Sequence, residues 1–333
     1  MENKQYKIVD KFERVHDYLR ISLTERCNLR CFYCMPEEGI QLRDKKEFMS
    51  SEELLEIAKV FVELGVKKIR LTGGEPLVKK GFDELILELS KLPVELVMTS
   101  NAVRIDQHID ALKKAGVKKI NVSLDSLIEE RFNQISKRNY FGKIKENIQL
   151  LIQNDFSVKI NVVLIRAVND DEIIDFIEWS TQERIQIRFI EFMPFEGNNW
   201  NVDQRVSLKE ILDRISEHYG SENIEKLDAA ANDTTKNYKI KNAIGSFGII
   251  SSVTNPFCST CNRIRLTADG KIKNCLFSQT ETDLLTAHRN GDSIKELIIE
   301  SIDNKYKERG GITDFNNESV KEINNRSMIS IGG

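Results

Sequence analysis

Six cysteines fall into two tight groups. Cys27, Cys31 and Cys34 form C-x3-C-x2-C, and Cys258, Cys261 and Cys275 form C-x2-C-x13-C. Thiolates at such spacing are ligands for zinc or for iron–sulfur clusters. A structural zinc site wants four ligands. A four-iron cubane takes one cysteine per iron, so a triplet leaves one iron open to bind something else. The same three-ligand logic would also describe a catalytic zinc. His16, ahead of the first triplet, is the candidate for a fourth ligand, with an exposed surface histidine as the plainer expectation. Structural disulfides are not expected, because reducing compartments keep thiols free.

Composition narrows the classes. The chain has 333 residues, 49 basic against 52 acidic for a net charge of −3, 40% apolar and 30% charged residues, 17 Gly and 5 Pro. These values describe a globular protein, not a disordered or fibrous one. Near-neutral charge offers no global field for nucleic acid or an anionic membrane, so any anion must be held by a local cluster. No run of roughly 18 apolar residues suggests a spanning helix. The first residues carry no apolar signal segment, and the expected setting is the cytoplasm.

The elements that position the cysteines alternate short β-branched runs with longer amphipathic segments. Strands are predicted at 19–23, 68–72, 95–99, 119–124, 159–164 and 185–192, with helices such as 51–64, opened by a serine and followed by Gly65. Side chains alternate across each strand. Leu19/Ile21/Leu23, Ile69/Leu71, Leu96/Met98, Val122/Leu124 and Ile160/Val162/Leu164 make one face apolar. Arg20/Ser22/Thr24, Arg70/Thr72, Thr99/Asn101, Asn121/Ser123/Asp125 and Lys159/Asn161 make the other polar. A doubly wound sheet buries both faces, whereas a polar-lined lumen fits a barrel. The expected fold is therefore α/β, a partial open (β/α)6 TIM-like barrel with a C-terminal cluster-binding extension. The expected division is 1–193 and 194–333. An antiparallel sheet with one wetted face is the competing reading of the same alternation.

The segment Cys27-Asn28-Leu29-Arg30-Cys31-Phe32-Tyr33-Cys34 resembles the signature of radical S-adenosylmethionine enzymes. Gly73-Gly74-Glu75-Pro76 is similar to the segment that receives the methionine moiety in that family. The run Cys258-Ser259-Thr260-Cys261-Asn262-Arg263-Ile264-Arg265, with Cys275-Leu276-Phe277 beyond it, resembles the GTP 3′,8-cyclase family of molybdenum cofactor biosynthesis. Phe189-Ile190-Glu191-Phe192-Met193-Pro194, Asn121-Val122-Ser123-Leu124-Asp125 and the terminal Gly332-Gly333 extend the resemblance over nearly the whole chain.

The resemblance implies two [4Fe-4S] clusters and S-adenosyl-L-methionine as cofactors. It implies radical cyclisation of GTP to 3′,8-cyclo-7,8-dihydroguanosine triphosphate, the product passing to cyclic pyranopterin monophosphate synthase. The electron donor is not implied by any residue, and a homodimer is an expectation. It assigns Tyr33, Gly74, Ser123 and Met193 to the cofactor and Arg20, Arg70, Thr99, Lys159, Arg263 and Arg265 to GTP. Gly332 and Gly333 are expected to reach the active site. Arginine suits a triphosphate through bidentate contacts. The plainer alternatives are a solvated loop for Arg263 and Arg265, and ion pairs of Arg20 and Arg70 with Glu75 or Asp125. The run Met98-Thr99-Ser100-Asn101-Ala102 departs from the family's Thr-Thr-Asn-Gly, which puts the backbone near Asn101 in question.

Two rival readings accompany this one. A radical enzyme acting on peptides would bring more cysteines. A zinc-stabilised nucleic-acid module would need four ligands per site and a basic face.

Overall fold

The computed structural model describes residues 6–332 apart from 36–38, 40–42, 229 and 324. Six strands occur where the alternation predicts them: β1 (Tyr18–Ser22), β2 (Lys68–Thr72), β3 (Glu95–Ser100), β4 (Lys119–Ser123), β5 (Ser157–Leu164) and β6 (Ile185–Glu191). They lie side by side in chain order and pair in parallel. Helices α1 (Ser51–Glu63), α2 (Phe82–Leu89), α3 (Ile105–Lys114), α4 (Glu129–Ser136), α5 (Phe141–Gln153) and α6 (Ile173–Gln182) fill the connections. The parallel pairing and the intervening helices remove the antiparallel alternative.

Local chemistry explains the boundaries. Ser50 Oγ accepts the Glu53 N–H at 3.2 Å while Glu53 Oε2 accepts the Ser50 N–H at 2.7 Å, a reciprocal cap that starts α1. Gly65, at φ +101°, turns the chain where a side chain would strike the Tyr6 carbonyl. Leu54, Ile57, Ala58 and Phe61 place one stripe of α1 against the sheet, each with 0% exposure. The predicted apolar strand residues Leu19, Ile21, Ile69, Leu71, Val122 and Ile160 are likewise fully buried under the helices.

The last third of the chain adds strands the alternation did not reveal. After α7 (Leu208–Tyr219) come β7 (Ile224–Lys226), β8 (Lys236–Ile240), β9 (Ser246–Ile250), β10 (Arg263–Leu266), β11 (Lys271–Lys273) and β12 (Thr282–Asp283). Strand β9 joins β6 in parallel, and β10 joins β1 in parallel on the far side. The sheet order is β12-β11-β10-β1-β2-β3-β4-β5-β6-β9-β8-β7, open at both edges. The extension thus adds one parallel strand to each flank of the partial barrel. Helices α8 (Leu284–Arg289), α9 (Ile294–Asp303) and α10 (Met328–Ile331) follow. Among the described residues no helix is long and apolar enough to cross a membrane.

Candidate active site and its two cysteine groups

The first triplet follows β1 and lines a cavity of about 190 Å³ at the C-terminal ends of the strands, shared with Tyr33, Gly74, Thr99, Ser123, Asp125 and Met193. The sequence-predicted cofactor residues therefore converge on one cavity with Cys27, Cys31 and Cys34. The glycines of the 73–76 segment serve a close chain approach. A Cβ on Gly73 would lie 2.6 Å from the Thr24 carbonyl, and one on Gly74 would lie 2.5 Å from the Arg26 carbonyl. That approach lets Gly74 N–H donate to Thr24 O at 2.6 Å and Glu75 N–H to Arg26 O at 2.8 Å. These bonds fix the loop that carries the cysteines against β2.

Glu75, Asp125 and Glu191 are buried carboxylates of this cavity, and among the described residues none of them pairs with an arginine. Glu75 accepts from Ser100 Oγ at 2.8 Å, Asn101 N at 2.7 Å and Leu77 N at 3.1 Å. Burial nevertheless lifts its carboxyl to about 7. Asp125 accepts the Tyr33 hydroxyl at 2.6 Å and the Val163 N–H at 2.9 Å, with burial raising it to about 6. Ion pairs of Glu75 or Asp125 with Arg20 or Arg70 are thus replaced by these local bonds. The departure near Asn101 is absorbed in place: Ala102 itself takes the left-handed conformation at φ +63°, and its N–H donates to Ser100 Oγ at 2.9 Å. A non-glycine residue bears a strain of roughly 1–2 kcal/mol there.

Register builds the polar face into a row of cations. Arg20 is paired across the sheet with Arg265 on one side and Arg70 on the other, and Tyr18 with Arg263. Lys159 and Asn161 sit opposite Gln186 and Arg188 on β6. Arg70 is held by the Met98 carbonyl at 2.9 Å, Thr99 Oγ1 at 3.2 Å and the Tyr18 hydroxyl. Arg20 has a shielded Nε with no hydrogen-bond partner among the described residues. Burial and then the adjacent Arg265 hold its guanidinium well below the ordinary value. Burial, then Arg263, lowers Arg265 to about 10, and burial, then Arg70, lowers Arg188 to about 10. Burial followed by Arg188 brings Lys159 to about 8. Arg263 and Arg265 are strand residues, not a solvated loop. Buried like charges without counter-ions are costly; a polyanion in the lumen removes that cost.

The chain end enters the same lumen. Gly332 is buried at φ +85°, its carbonyl accepting from Arg265 Nη1 at 2.8 Å, and a Cβ there would lie 2.5 Å from Thr72 Oγ1. Gly333 lies outside the described residues.

The second triplet lines a smaller cavity of about 50 Å³ with Arg263, Arg265, Lys305 and Arg309. Its sulfurs have cationic and N–H partners. Arg309 N–H donates to Cys258 Sγ at 3.4 Å, and Lys305 Nζ and Arg263 Nη2 approach Cys261 Sγ at 3.6 and 3.8 Å. Although burial raises the Cys261 thiol, Arg263 and Lys305 bring it down to about 6. All six cysteines are free. Among the described residues no three His, Cys, Asp or Glu side chains converge as ligands of one metal ion. A four-iron cluster has a different requirement, one cysteine on each of three separate irons. Three thiols around a cavity with donors aimed at sulfur fit such a cluster at each triplet. The first cavity also carries the unpartnered buried atoms Asn161 Oδ1 and Glu191 Oε1.

His16 is neither a ligand nor exposed. It has 0% exposure, its Nε2 lies 2.9 Å from Asp10 Oδ2, and burial followed by Lys305 lowers it to about 4, so it is neutral at pH 7. Asp10 also binds Arg14, whose guanidinium reaches the carbonyls of Cys258, Tyr306 and Lys307 at 2.8, 3.0 and 2.7 Å. Sequence reasoning placed Asp125 on the polar face, as a possible ion-pair partner, but missed Arg14, Tyr18, Arg188 and Lys305 as site residues. Tyr18 has the parity of Arg20 on β1 and Arg188 that of Gln186 on β6, signals that were available. Arg14 and Lys305 are defined by contacts between distant segments.

Family comparisons agree with this geometry. Residues 21–180 match the Radical SAM superfamily, and residues 185–310 match Molybdenum Cofactor Synthesis C. A mitochondrial GTP 3′,8-cyclase of Arabidopsis thaliana is 41% identical over 98% of this chain and 83% of its own length. A GTP 3′,8-cyclase of Peptoclostridium acidaminophilum is 40% identical over 100% of both chains. Molybdenum cofactor biosynthesis protein 1 of Drosophila melanogaster is 42% identical over 90% of this chain, which spans about half (53%) of that relative. In fold, the chain is similar to the crystal structure of Streptococcus suis SuiB, with a TM-score of 0.63 at 14% identity over 94% of this chain and 73% of that one.

Proposed function

The chain belongs to the radical S-adenosylmethionine superfamily and, within it, to the GTP 3′,8-cyclase family, and from that premise we propose that it cyclises GTP in the first step of molybdenum cofactor biosynthesis. The product is (8S)-3′,8-cyclo-7,8-dihydroguanosine 5′-triphosphate. Cys27, Cys31 and Cys34 would hold an iron–sulfur cluster, which together with S-adenosylmethionine would supply one-electron radical chemistry at the ribose. The protein's share is binding, orientation and exclusion of water. Tyr33, Gly74, Ser123 and Met193 would hold the cofactor over the first triplet. Cys258, Cys261 and Cys275 would hold a second cluster beside the base.

The observation that carries the reading is the row Arg265–Arg20–Arg70, adjacent across three strands, without carboxylate partners among the described residues, its Arg265 lining the second cysteine cavity. Arg20, Arg70, Thr99, Lys159, Arg263 and Arg265 would clamp a triphosphate there. Its charge would offset the mutual repulsion of these cations. The division at 1–193 and 194–333 then separates the first cluster from the second, with the nucleotide bridging them. The same reading includes a cytoplasmic setting, a homodimer, and transfer of the product to cyclic pyranopterin monophosphate synthase.

The test is iron and sulfide content of anaerobically reconstituted protein, with turnover followed in the same sample under a reductant. About eight irons per chain are expected for two four-iron clusters, with 5′-deoxyadenosine formed together with loss of GTP. About four irons, or 5′-deoxyadenosine without GTP consumption, would send the search to another substrate.

A further inference from the structure

Lys305, just beyond α9, is 2% exposed, yet it is not among the residues assigned to substrate. Its Nζ lies 3.6 Å from Cys261 Sγ and 3.0 Å from the Arg263 carbonyl. Burial, and after it Arg14 and Arg263, work against its ammonium, while Cys261 and Cys275 favour it when they are thiolates. A buried ammonium is tolerated only beside a counter-charge, and here the counter-charge is the second sulfur group. The distance is also held from outside. Arg14 binds the carbonyls of Tyr306 and Lys307, next to the lysine, and the carbonyl of Cys258 in the cysteine turn, so one guanidinium clamps both segments. The first triplet is built differently: among the described residues Cys27 Sγ accepts from Leu29 N and Asn101 Nδ2, and buried Glu75 and Asp125 stand beside that cavity.

We infer that Lys305 is a positioning residue that sets the reduction potential of the cluster at Cys258, Cys261 and Cys275, its ammonium hydrogen-bonded to the Cys261 sulfur and favouring the more negative, reduced cluster. The inference rests on the proposed second cluster. Net charge, burial and hydrogen bonds to sulfur are the levers by which a protein moves such a potential. The step is the gain of one electron from the reductant, with no bond made or broken and no proton moved.

The experiment is a potentiometric titration followed by electron paramagnetic resonance on the reconstituted full-length chain and on Lys305→Met, Lys305→Gln and Lys305→Arg. Signals are assigned to each cluster in the Cys27→Ala and Cys258→Ala variants, and iron is counted in every sample. The expected result is a more negative midpoint for the second cluster in K305M and K305Q, a midpoint near the native one in K305R, and no movement of the first cluster. Loss of the second cluster in K305M and K305Q with its retention in K305R would assign the lysine to holding the cluster and overturn its role in setting the potential. An unchanged midpoint in K305M at full iron content, or loss of the second cluster in all three variants, overturns it. About four irons in the unsubstituted chain would instead mean that the second-cluster reading itself has failed.

Discussion

Arg265 on β10 donates a 2.8 Å hydrogen bond to the backbone carbonyl of Gly332, so Gly332 is tied to the guanidinium at the β10 end of the cation row. The glycine is required by space as well as by backbone: φ is +85°, and any Cβ would press within 2.5 Å of Thr72 Oγ1. Deleting Gly332 and Gly333, or making Gly332→Ala, is expected to lower cyclisation about tenfold or more, as misplacement of a positioning group by an ångström does. Iron content and S-adenosylmethionine binding should be unchanged. Native turnover in the truncated protein would remove the tail from the mechanism.

Nucleotide affinity is expected to fall as pH rises through about 8. Burial alone would raise the Tyr18 phenol, but Arg70, Arg20 and Arg263 outweigh it and bring it to about 8. Lys159 has also been brought to about 8, by burial and then Arg188, with Asp233 opposing. Above that pH Tyr18 gains a negative charge and Lys159 loses a positive one, and both changes oppose a triphosphate. Binding should therefore raise both pKa values and take up protons. Each group whose pKa rises by about one unit contributes about tenfold to the decline. Calorimetry of GTP binding at pH 7 and 9, in buffers of different ionisation enthalpy, reads both quantities; Tyr18→Phe should flatten the decline, and a pH-independent Kd would refute the argument.

Tyr33 is tethered to Asp125 by a 2.6 Å hydrogen bond from a hydroxyl between two cysteines of the first triplet to the loop after β4. Tyr33→Phe removes one partner of a buried carboxylate, which costs about 1–3 kcal/mol. The expected outcome is a lower Tm and weaker S-adenosylmethionine binding. Asp125→Asn, which still accepts the Val163 N–H through its amide oxygen, should be milder. Equal melting of Tyr33→Phe and the native chain would show that the tether carries no stability.

Arg14 lies far in sequence from the second triplet but is bonded to its backbone at Cys258. Arg14→Ala leaves Asp10 and three carbonyls without this partner, a loss of about 3–5 kcal/mol by analogy with other buried pairs broken on one side. Iron should fall toward about four per chain, with the first cluster's signal retained. Full iron content in Arg14→Ala would count against the brace.

The two cysteine triplets and the polar strand face were legible from local spacing, because both are short-range patterns. Ligands of one cluster must be near one another, and side chains two apart on a strand share a side. That is why Arg20, Arg70, Thr99 and Lys159 were found on one wall before any register was known, and why the six barrel strands were recognisable. Short strands such as β11 and β12 had too few residues to show alternation. Their existence depends on partners supplied by a hairpin.

What the sequence by itself determined is the chemistry on offer: two incomplete sets of soft metal ligands, a β/α framework and a lumen able to carry positive charge. Tertiary structure alone decided how these were assembled. It set β9 and β10 on opposite flanks, so that Arg265 stands beside Arg20. It brought Lys305 to Cys261, Arg14 to Cys258 and Gly332 into the barrel. Each of these contacts joins segments tens to hundreds of residues apart, and no local periodicity encodes such a meeting. It follows from burying the apolar strand face under the helices, which leaves the polar faces of distant segments turned toward one common interior.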